Sequence, residues 1–154
     1  MNQDLVFKQL QQKDPVPYDL LILADPSKDM IDGYLKHARI FLAQEKGEVL
    51  GVIVLLGLSE ELAEIKNMAV KPAFQGQGIG KYLIERTVEV ASLNHYKSIC
   101  IGTANSSVRQ LYLYQKLGFE LSGVKWDFFT KNYPQPIYEK GIQSKHQLVL
   151  TKEL

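Results

Sequence analysis

One glycine-rich segment constrains the fold of this chain more than any other feature: Gln75 to Gly80, within VKPAFQGQGIGKYL at residues 70–83. An apolar strand pattern ends before it at Pro72, and a run with apolar residues at helical spacing follows it. Glycines let the main chain turn so that several N–H groups point at one spot, and a helix N-terminus adds positive potential there. The segment therefore predicts a strand–loop–helix unit that cradles a phosphate, with a plain glycine-rich turn into a buried helix as the alternative.

Two better-known phosphate motifs do not fit this segment. A P-loop requires Lys-Ser or Lys-Thr at its end, but Tyr82 follows Gly80-Lys81, and Gln75 stands where the first glycine belongs. A dinucleotide fingerprint requires a third glycine where this chain has Lys81. What remains is the pattern Gln-x-x-Gly-x-Gly between a strand and a long helix.

Hydrophobic periodicity and turn residues divide the rest of the chain into strands and helices. Strand patterns lie at residues 4–10, 38–44, 48–58, 61–70, 96–104, 119–129 and 145–154. Helical patterns lie at residues 18–24, 27–37, 79–93 and 105–117, and a polar, Pro-containing loop lies at residues 130–144. This order predicts a mixed α/β sheet whose parallel core is the strand–helix–strand unit around the glycines.

Composition limits the partners and cofactors. The 154 residues fit a single domain, taken as residues 1–154, and a formal net charge of +1 gives no reason to expect a nucleic acid or a membrane as partner. One cysteine, Cys100, cannot form an internal disulfide, and no residues have zinc-ligand spacing. Without a signal-peptide pattern or a long apolar stretch, we expect a cytoplasmic, metal-free protein. The sequence leaves the oligomeric state open, a homodimer included.

Two linked motifs resemble the GNAT superfamily of acyl-CoA-dependent N-acyltransferases: AEIKNMAVKPAFQGQGIGKYL at residues 63–83 and NSSVRQLYLYQKLGF at residues 105–119. The resemblance is close from Glu64 to Phe119. It implies a mixed, mostly antiparallel seven-stranded sheet with a central parallel pair and helices on both faces. It also implies acetyl-CoA as co-substrate.

The resemblance assigns the cofactor contacts. The main chain of the strand before the loop would bind the pantetheine arm, and an N–H near Met68 would stabilise the oxyanion. Asn105 would contact the cofactor with its side chain, with a helix N-cap as the alternative role. The pantetheine residues are Met68, Ala69 and Val70, and the pyrophosphate amides are those of Gln75, Gly76, Gln77, Gly78, Ile79, Gly80 and Lys81.

The resemblance also names an acid and a base. Tyr114, four residues before Gly118, matches the tyrosine that protonates the leaving thiolate, although spacing from Asn105 would select Tyr112. Their side chains lie roughly 200° apart on a helix, so one cannot replace the other. Glu64 matches a carboxylate that serves as general base in several members, and the alternative is an exposed strand-end glutamate.

The acceptor is the least constrained part of the sequence. We expect the primary amine of a small molecule, with a protein N-terminus or lysine as the alternative acceptor and a non-catalytic acyl-CoA sensor as the alternative class. Aromatic and apolar side chains near the ends of the sheet are candidate pocket walls. They are Tyr18, Met30, Tyr34, Trp126, Phe128, Phe129, Tyr133 and Tyr138.

Overall fold

Seven of the strands form one sheet in the computed structural model, which describes residues 4–154. The strands are β1 Leu5–Gln9, β2 Ala38–Glu45, β3 Glu48–Gly57, β4 Leu62–Val70, β5 Ser98–Ala104, β6 Glu120–Lys125, β7 Ile137–Glu139, β8 Ile142–Ser144 and β9 Gln147–Glu153. The sheet has the order β1-β2-β3-β4-β5-β9-β6, and β7 and β8 form a separate hairpin. The pairing of β4 with β5 is parallel and the other pairings in the sheet are antiparallel. The predicted seven-stranded sheet with a parallel pair is confirmed.

Helices cover both faces of the sheet. Side chains of α1 and α2 pack on one face, against Val52 and Val54 of β3. Side chains of α3 and α4 pack on the other face, around Ile53 and Leu55 of the same strand. The helices are α1 Tyr18–Ala24, α2 Lys28–Leu35, α3 Ile79–Leu93, α4 Val108–Lys116 and α5 Phe128–Asn132. Within residues 4–154, no helix combines the length and apolarity that crossing a bilayer requires.

The region after β6 differs from its prediction. The sixth strand was expected to run through residues 119–129, but it ends at Lys125. Asp127 has a positive φ of 57°, and its N–H donates to Nδ1 of His146 at 2.9 Å, so the chain turns away from the sheet. α5 follows, and the predicted loop at residues 130–144 contains the end of α5 and the β7–β8 hairpin.

Helix α3 packs unusually close to β3 at Gly51. A Cβ atom there would lie 3.0 Å from Cδ1 of Leu83 and 3.1 Å from the carbonyl oxygen of Ala69. Since α3 carries the predicted phosphate cradle at its N-terminus, this contact sets how near the cradle lies to the sheet. Gly33, inside α2, has open space where a Cβ would be.

These two glycines predict opposite effects on stability. Gly51→Ala should lower the free energy of unfolding by about 1–3 kcal/mol, because the main chain of Ala69 cannot yield to the added methyl group. Gly33→Ala should raise it by about 0.5–1 kcal/mol, because alanine loses less entropy than glycine in a helix. Urea unfolding of both variants measures the changes, and effects of equal sign would contradict the close packing of α3.

Candidate active site

The parallel pair at the centre of the sheet separates partway along its length. β4 and β5 stop pairing at Ile65 and Ile101. The register between β3 and β4 shifts by one residue at the same place, which makes Lys66 a β-bulge. Beyond it, β4 stays paired with β3 through Val70, and β5 stays paired with β9 through Ala104. A cleft of about 540 Å³ opens between the diverging strands.

The glycine loop presents free main-chain N–H groups at one end of this region. Gly76 and Gly78 have φ of 78° and 85°, which glycine adopts without strain. Gly78 precedes α3, and no side chain caps the helix. The first hydrogen bond of α3 runs from the N–H of Tyr82 to the carbonyl of Gly78, at 3.0 Å, so earlier N–H groups are not used within the helix. This is an anion-binding arrangement, and it adjoins β4 because Gly80 lies against Met68.

Two of the predicted cofactor contacts have partners inside the protein. The side chain of Gln75 donates to the carbonyl of Val70 at 3.1 Å, which ties the loop to the end of β4. The side chain of Asn105 makes three hydrogen bonds, between 2.8 and 3.1 Å, to the main chain of residues 143–146. Because Ser107 is the residue that precedes α4, the helix N-cap alternative for Asn105 is wrong. The main-chain N–H of Gln75, which was predicted to hold the pyrophosphate, donates to the carbonyl of Pro72 at 3.3 Å. Contacts of a cofactor with the loop amides and with the Asn105 side chain stay predictions.

Tyr114 lies in the cleft and Tyr112 does not. Tyr114 is 5% exposed and lines the cleft, whereas Tyr112 is 65% exposed on the outer side of α4. Burial raises the pKa of the Tyr114 hydroxyl, so the group is protonated at neutral pH. Of the two candidate acids, the structure brings Tyr114 to the place where the thioester is expected.

The end of α4 fixes Tyr114. Gly118 has φ of 94°, its N–H donates to the carbonyl of Gln115, and the N–H of Phe119 donates to the carbonyl of Tyr114, both at 3.0 Å. This is a Schellman motif, which is completed by contact between the side chains of Tyr114 and Phe119, whose ring centroids are 6.3 Å apart. The sequence YQKLGF thus both ends α4 and fixes the position of Tyr114.

Glu64 is buried but stands back from the cleft wall. It is 7% exposed and lies between Leu56 of β3 and Cys100 of β5. Its carboxylate pairs with Nζ of Lys66, which does line the cleft, at 3.5 Å. Burial, and next the negative charge of Glu64, raise the pKa of the Cys100 thiol to about 11. Glu64 does not itself line the cleft, and its role as general base stays a prediction.

The far end of the cleft is an aromatic chamber between the α1–α2 corner and the segment from α5 to β8. Most of the predicted pocket-wall residues lie here, but two lie away from the cleft. The hydroxyl of Tyr18 donates to the carboxylate of Asp32 at 2.5 Å, and Trp126 packs on the ring of His146. The predicted residues that line the cleft are Met30, Tyr34, Phe128, Phe129, Tyr133 and Tyr138.

Two polar residues of this chamber escaped the sequence prediction. Asp25 lines the cleft, and its carboxylate accepts hydrogen bonds from the hydroxyls of Tyr133, at 2.9 Å, and Tyr34, at 3.3 Å. Asn67 donates to the carbonyl of Leu21 at 3.0 Å and to the hydroxyl of Tyr34 at 2.9 Å. The dipeptide Asp25-Pro26 is typical of a turn, and nothing in the local sequence pattern indicates that Asp25 is buried. Among the described residues, no group of three or more His, Cys, Asp or Glu side chains could hold a metal ion.

Comparison with known proteins agrees with this geometry. A family model for the acetyltransferase (GNAT) domain matches residues 36–121. The uncharacterized N-acetyltransferase YvbK of Bacillus subtilis is 44% identical over 137 residues, which cover 89% of this chain and 88% of that protein. The chain belongs to the GNAT family of acetyltransferases.

Solved structures with the cofactor extend the comparison. A GNAT family acetyltransferase from Elizabethkingia anophelis with acetyl-CoA bound is 44% identical, with a TM-score of 0.98 over 99% of this chain and 100% of that one. A Bacillus subtilis acetyltransferase in complex with CoA is 40% identical, with a TM-score of 0.91 over 97% and 99% of the two chains. The protein is an acetyl-CoA-dependent N-acetyltransferase.

The glycine loop predicts a separation of cofactor affinity from stability. Gly76→Ala should raise the Kd of CoA roughly tenfold, because relief of the left-handed strain turns the cradle amides away from the pyrophosphate. Gly47→Ala is the matched control, since Gly47 has φ of 82° and lies in the distant β2–β3 turn, and both positions have open space for a Cβ. Both variants should lose about 1–2 kcal/mol of stability. Calorimetric titration measures the Kd of CoA for both variants. A Kd that rises by the same factor in both would contradict the cradle.

Proposed function

We propose that this enzyme transfers the acetyl group of acetyl-CoA to the primary amine of a small molecule, by direct attack and without an acetylated enzyme. One observation carries the proposal: the opening between β4 and β5 is lined by Met68, which adjoins the glycine loop, by Tyr114 and by the side chains of the aromatic chamber. A thioester that follows β4 into the opening meets an acceptor arriving from the chamber. Holding both reactants in this geometry supplies much of the rate.

Different residues of the cleft and its surroundings act in the separate steps of the proposed reaction. The lone pair of the amine attacks the thioester carbonyl, and the main-chain N–H near Met68 stabilises the oxyanion. Before the attack, the acceptor ammonium loses one proton along the path past Lys66 and Glu64. An alkyl ammonium holds its proton roughly 6 pK units more tightly than an ordinary carboxyl group, so a water relay to solvent suits this path better than direct transfer. When the C–S bond breaks, the nitrogen releases its second proton to solvent, Tyr114 gives its proton to the thiolate, and the tyrosinate is reprotonated from solvent.

The chamber favours a small acceptor over a protein. Tyr133, at the end of α5, reaches across the cleft to Asp25 at the α1–α2 corner, and this bond closes one side of the chamber. A volume of about 540 Å³ for the whole cleft is in the range of small-molecule sites. A protein N-terminus or lysine, the alternative acceptor, needs room for the main chain on both sides of the reacting group.

The assignment of Tyr114 predicts a paired result. Tyr114→Phe should lower kcat about 100-fold with little change in the KM of acetyl-CoA, because the ring still packs on Phe119 while the proton donor is gone. Tyr112→Phe should stay within about twofold of the native enzyme, because that side chain faces solvent. Thiol release from acetyl-CoA measures both variants.

The same assay tests the proposed function when it is run against alkylamines, diamines, amino acids, aminoglycosides and short peptides. Release that depends on a small amine, and is lost in Tyr114→Phe, is the expected outcome. Release with peptides alone would establish the alternative acceptor. Full activity of Tyr114→Phe would remove this tyrosine from the mechanism.

A further inference from the structure

Asp25 is a buried carboxylate without a cation beside it. It is 9% exposed, and its hydrogen bonds come from neutral groups: the hydroxyls of Tyr34 and Tyr133 and the N–H of Ser27, at 3.1 Å. None of the ion pairs found among residues 4–154 involves it. A buried carboxylate is costly unless a positive charge compensates it. The position of Asp25 on the cleft wall lets a ligand supply that charge.

Aromatic rings surround this carboxylate on the cleft side. Tyr34 and Tyr133 bind it through their hydroxyls, and Phe129 stacks on Tyr133 with ring centroids 5.8 Å apart. The faces of such rings attract ammonium groups. Tyr34 already has one near it, since Nζ of Lys66 lies 5.5 Å from its centroid. Lys66 itself is engaged by Glu64 and forms no ion pair with Asp25.

Asn67 adds an unsatisfied acceptor to the same wall. It is 4% exposed, and its side-chain oxygen has no hydrogen-bond partner within residues 4–154. The amide orientation is fixed, because the carbonyl of Leu21 can only accept and must therefore face the NH₂ group. In the part of the chain that the structure describes, the wall thus holds one buried acceptor without a donor, which Tyr34 links to the Asp25 carboxylate.

We propose that a set of side chains around Asp25, the Asp25 cage, binds a cationic group of the acceptor that is not the nitrogen being acetylated. The cage consists of Asp25, Tyr34, Asn67, Phe129 and Tyr133. This inference rests on the proposed function. The reacting nitrogen must lose its charge before it attacks, and a fixed carboxylate would oppose that loss, whereas a second ammonium keeps its charge throughout. The acceptor class is therefore a small primary amine with a second cationic group a short chain away.

The hydrogen-bond chain places the cage close to the reacting centre. Asn67, next to Met68 on β4, reaches Asp25 through the hydroxyl of Tyr34 in two successive hydrogen bonds of 2.9 and 3.3 Å. An acceptor whose reacting nitrogen lies at a thioester beside Met68 can then place a second ammonium at Asp25. Acceptors with a carboxylate in that place meet the like charges of Asp25 and of Glu139, which also lines the cleft.

A matched series of acceptors tests the cage: 1,4-diaminobutane, 4-aminobutan-1-ol and 4-aminobutanoate share one chain and differ in the charge of the far group. With saturating acetyl-CoA, kcat/KM of the native enzyme should be at least about tenfold higher for the diamine than for the amino alcohol, and lowest for the amino acid. Asp25→Asn keeps the side-chain shape and should bring the diamine within about twofold of the amino alcohol, through a higher KM at similar kcat.

Asp32→Asn is the matched control. Asp32 also accepts a tyrosine hydroxyl, that of Tyr18, but pairs with Lys28 outside the cleft, so the diamine preference should survive. Tyr133→Phe retains the ring and removes one hydrogen bond to Asp25, so it reports on the cage if Asp25→Asn fails to fold. The diamine should lose affinity in it by a clearly larger factor than 4-aminobutan-1-ol does.

A measurement of acceptor binding in the absence of turnover separates this inference from the proposed function. Calorimetric titration of the CoA-saturated enzyme should give tighter binding of 1,4-diaminobutane than of 4-aminobutan-1-ol. Equal binding, or a diamine preference that persists in Asp25→Asn, overturns the cage whatever the enzyme turns over. Absence of turnover for every small amine, with the diamine still bound through Asp25, would instead remove the proposed function and leave a cation site.

Discussion

The bulge at Lys66 is the constraint on which the active site depends. A sheet normally keeps neighbouring strands paired because each unpaired main-chain group in the interior is costly. Here one extra residue in β4 ends the pairing with β5 at Ile65, while β3 and β9 retain the two diverging strands. The opening is therefore held by pairing on both outer sides, and it supplies polar main chain where a cofactor arm has to bind.

In the proposed reaction, the two ends of that opening recognise their ligands differently. The cofactor end uses main-chain N–H groups, so it needs glycines and a helix start but few particular side chains. The acceptor end uses side chains from the α1–α2 corner, from β4 and from α5, which are far apart in the chain. Tyr114 lies between the ends because the Schellman motif at Gly118 fixes the last turn of α4. Cofactor chemistry can thus stay constant while acceptor preference changes with a few substitutions in the chamber.

Local patterns in the sequence predicted the elements around the glycine loop and most of the aromatic side chains of the cleft, but not the polar residues among them. Helix α3 has the predicted bounds, Ile79 to Leu93, because the glycine that precedes it and the helical spacing of its apolar residues indicate the same start. Lys46-Gly47 lies between two long strand patterns, which is typical of a hairpin. Lys140-Gly141, with nearly the same φ angles of 50° and 82°, lies in the predicted loop because its flanking strands are short. The burial of Asp25 depends on Tyr133, 108 residues away, and no local pattern carries that contact.

A crystal structure of this chain with CoA tests the central claim most directly. The pantetheine arm should follow β4 through the opening beyond the Lys66 bulge, with the pyrophosphate on the amides before α3. Its sulfur should lie within hydrogen-bonding reach of the Tyr114 hydroxyl. A pantetheine arm that runs outside the opening, or a sulfur atom remote from Tyr114, would contradict it.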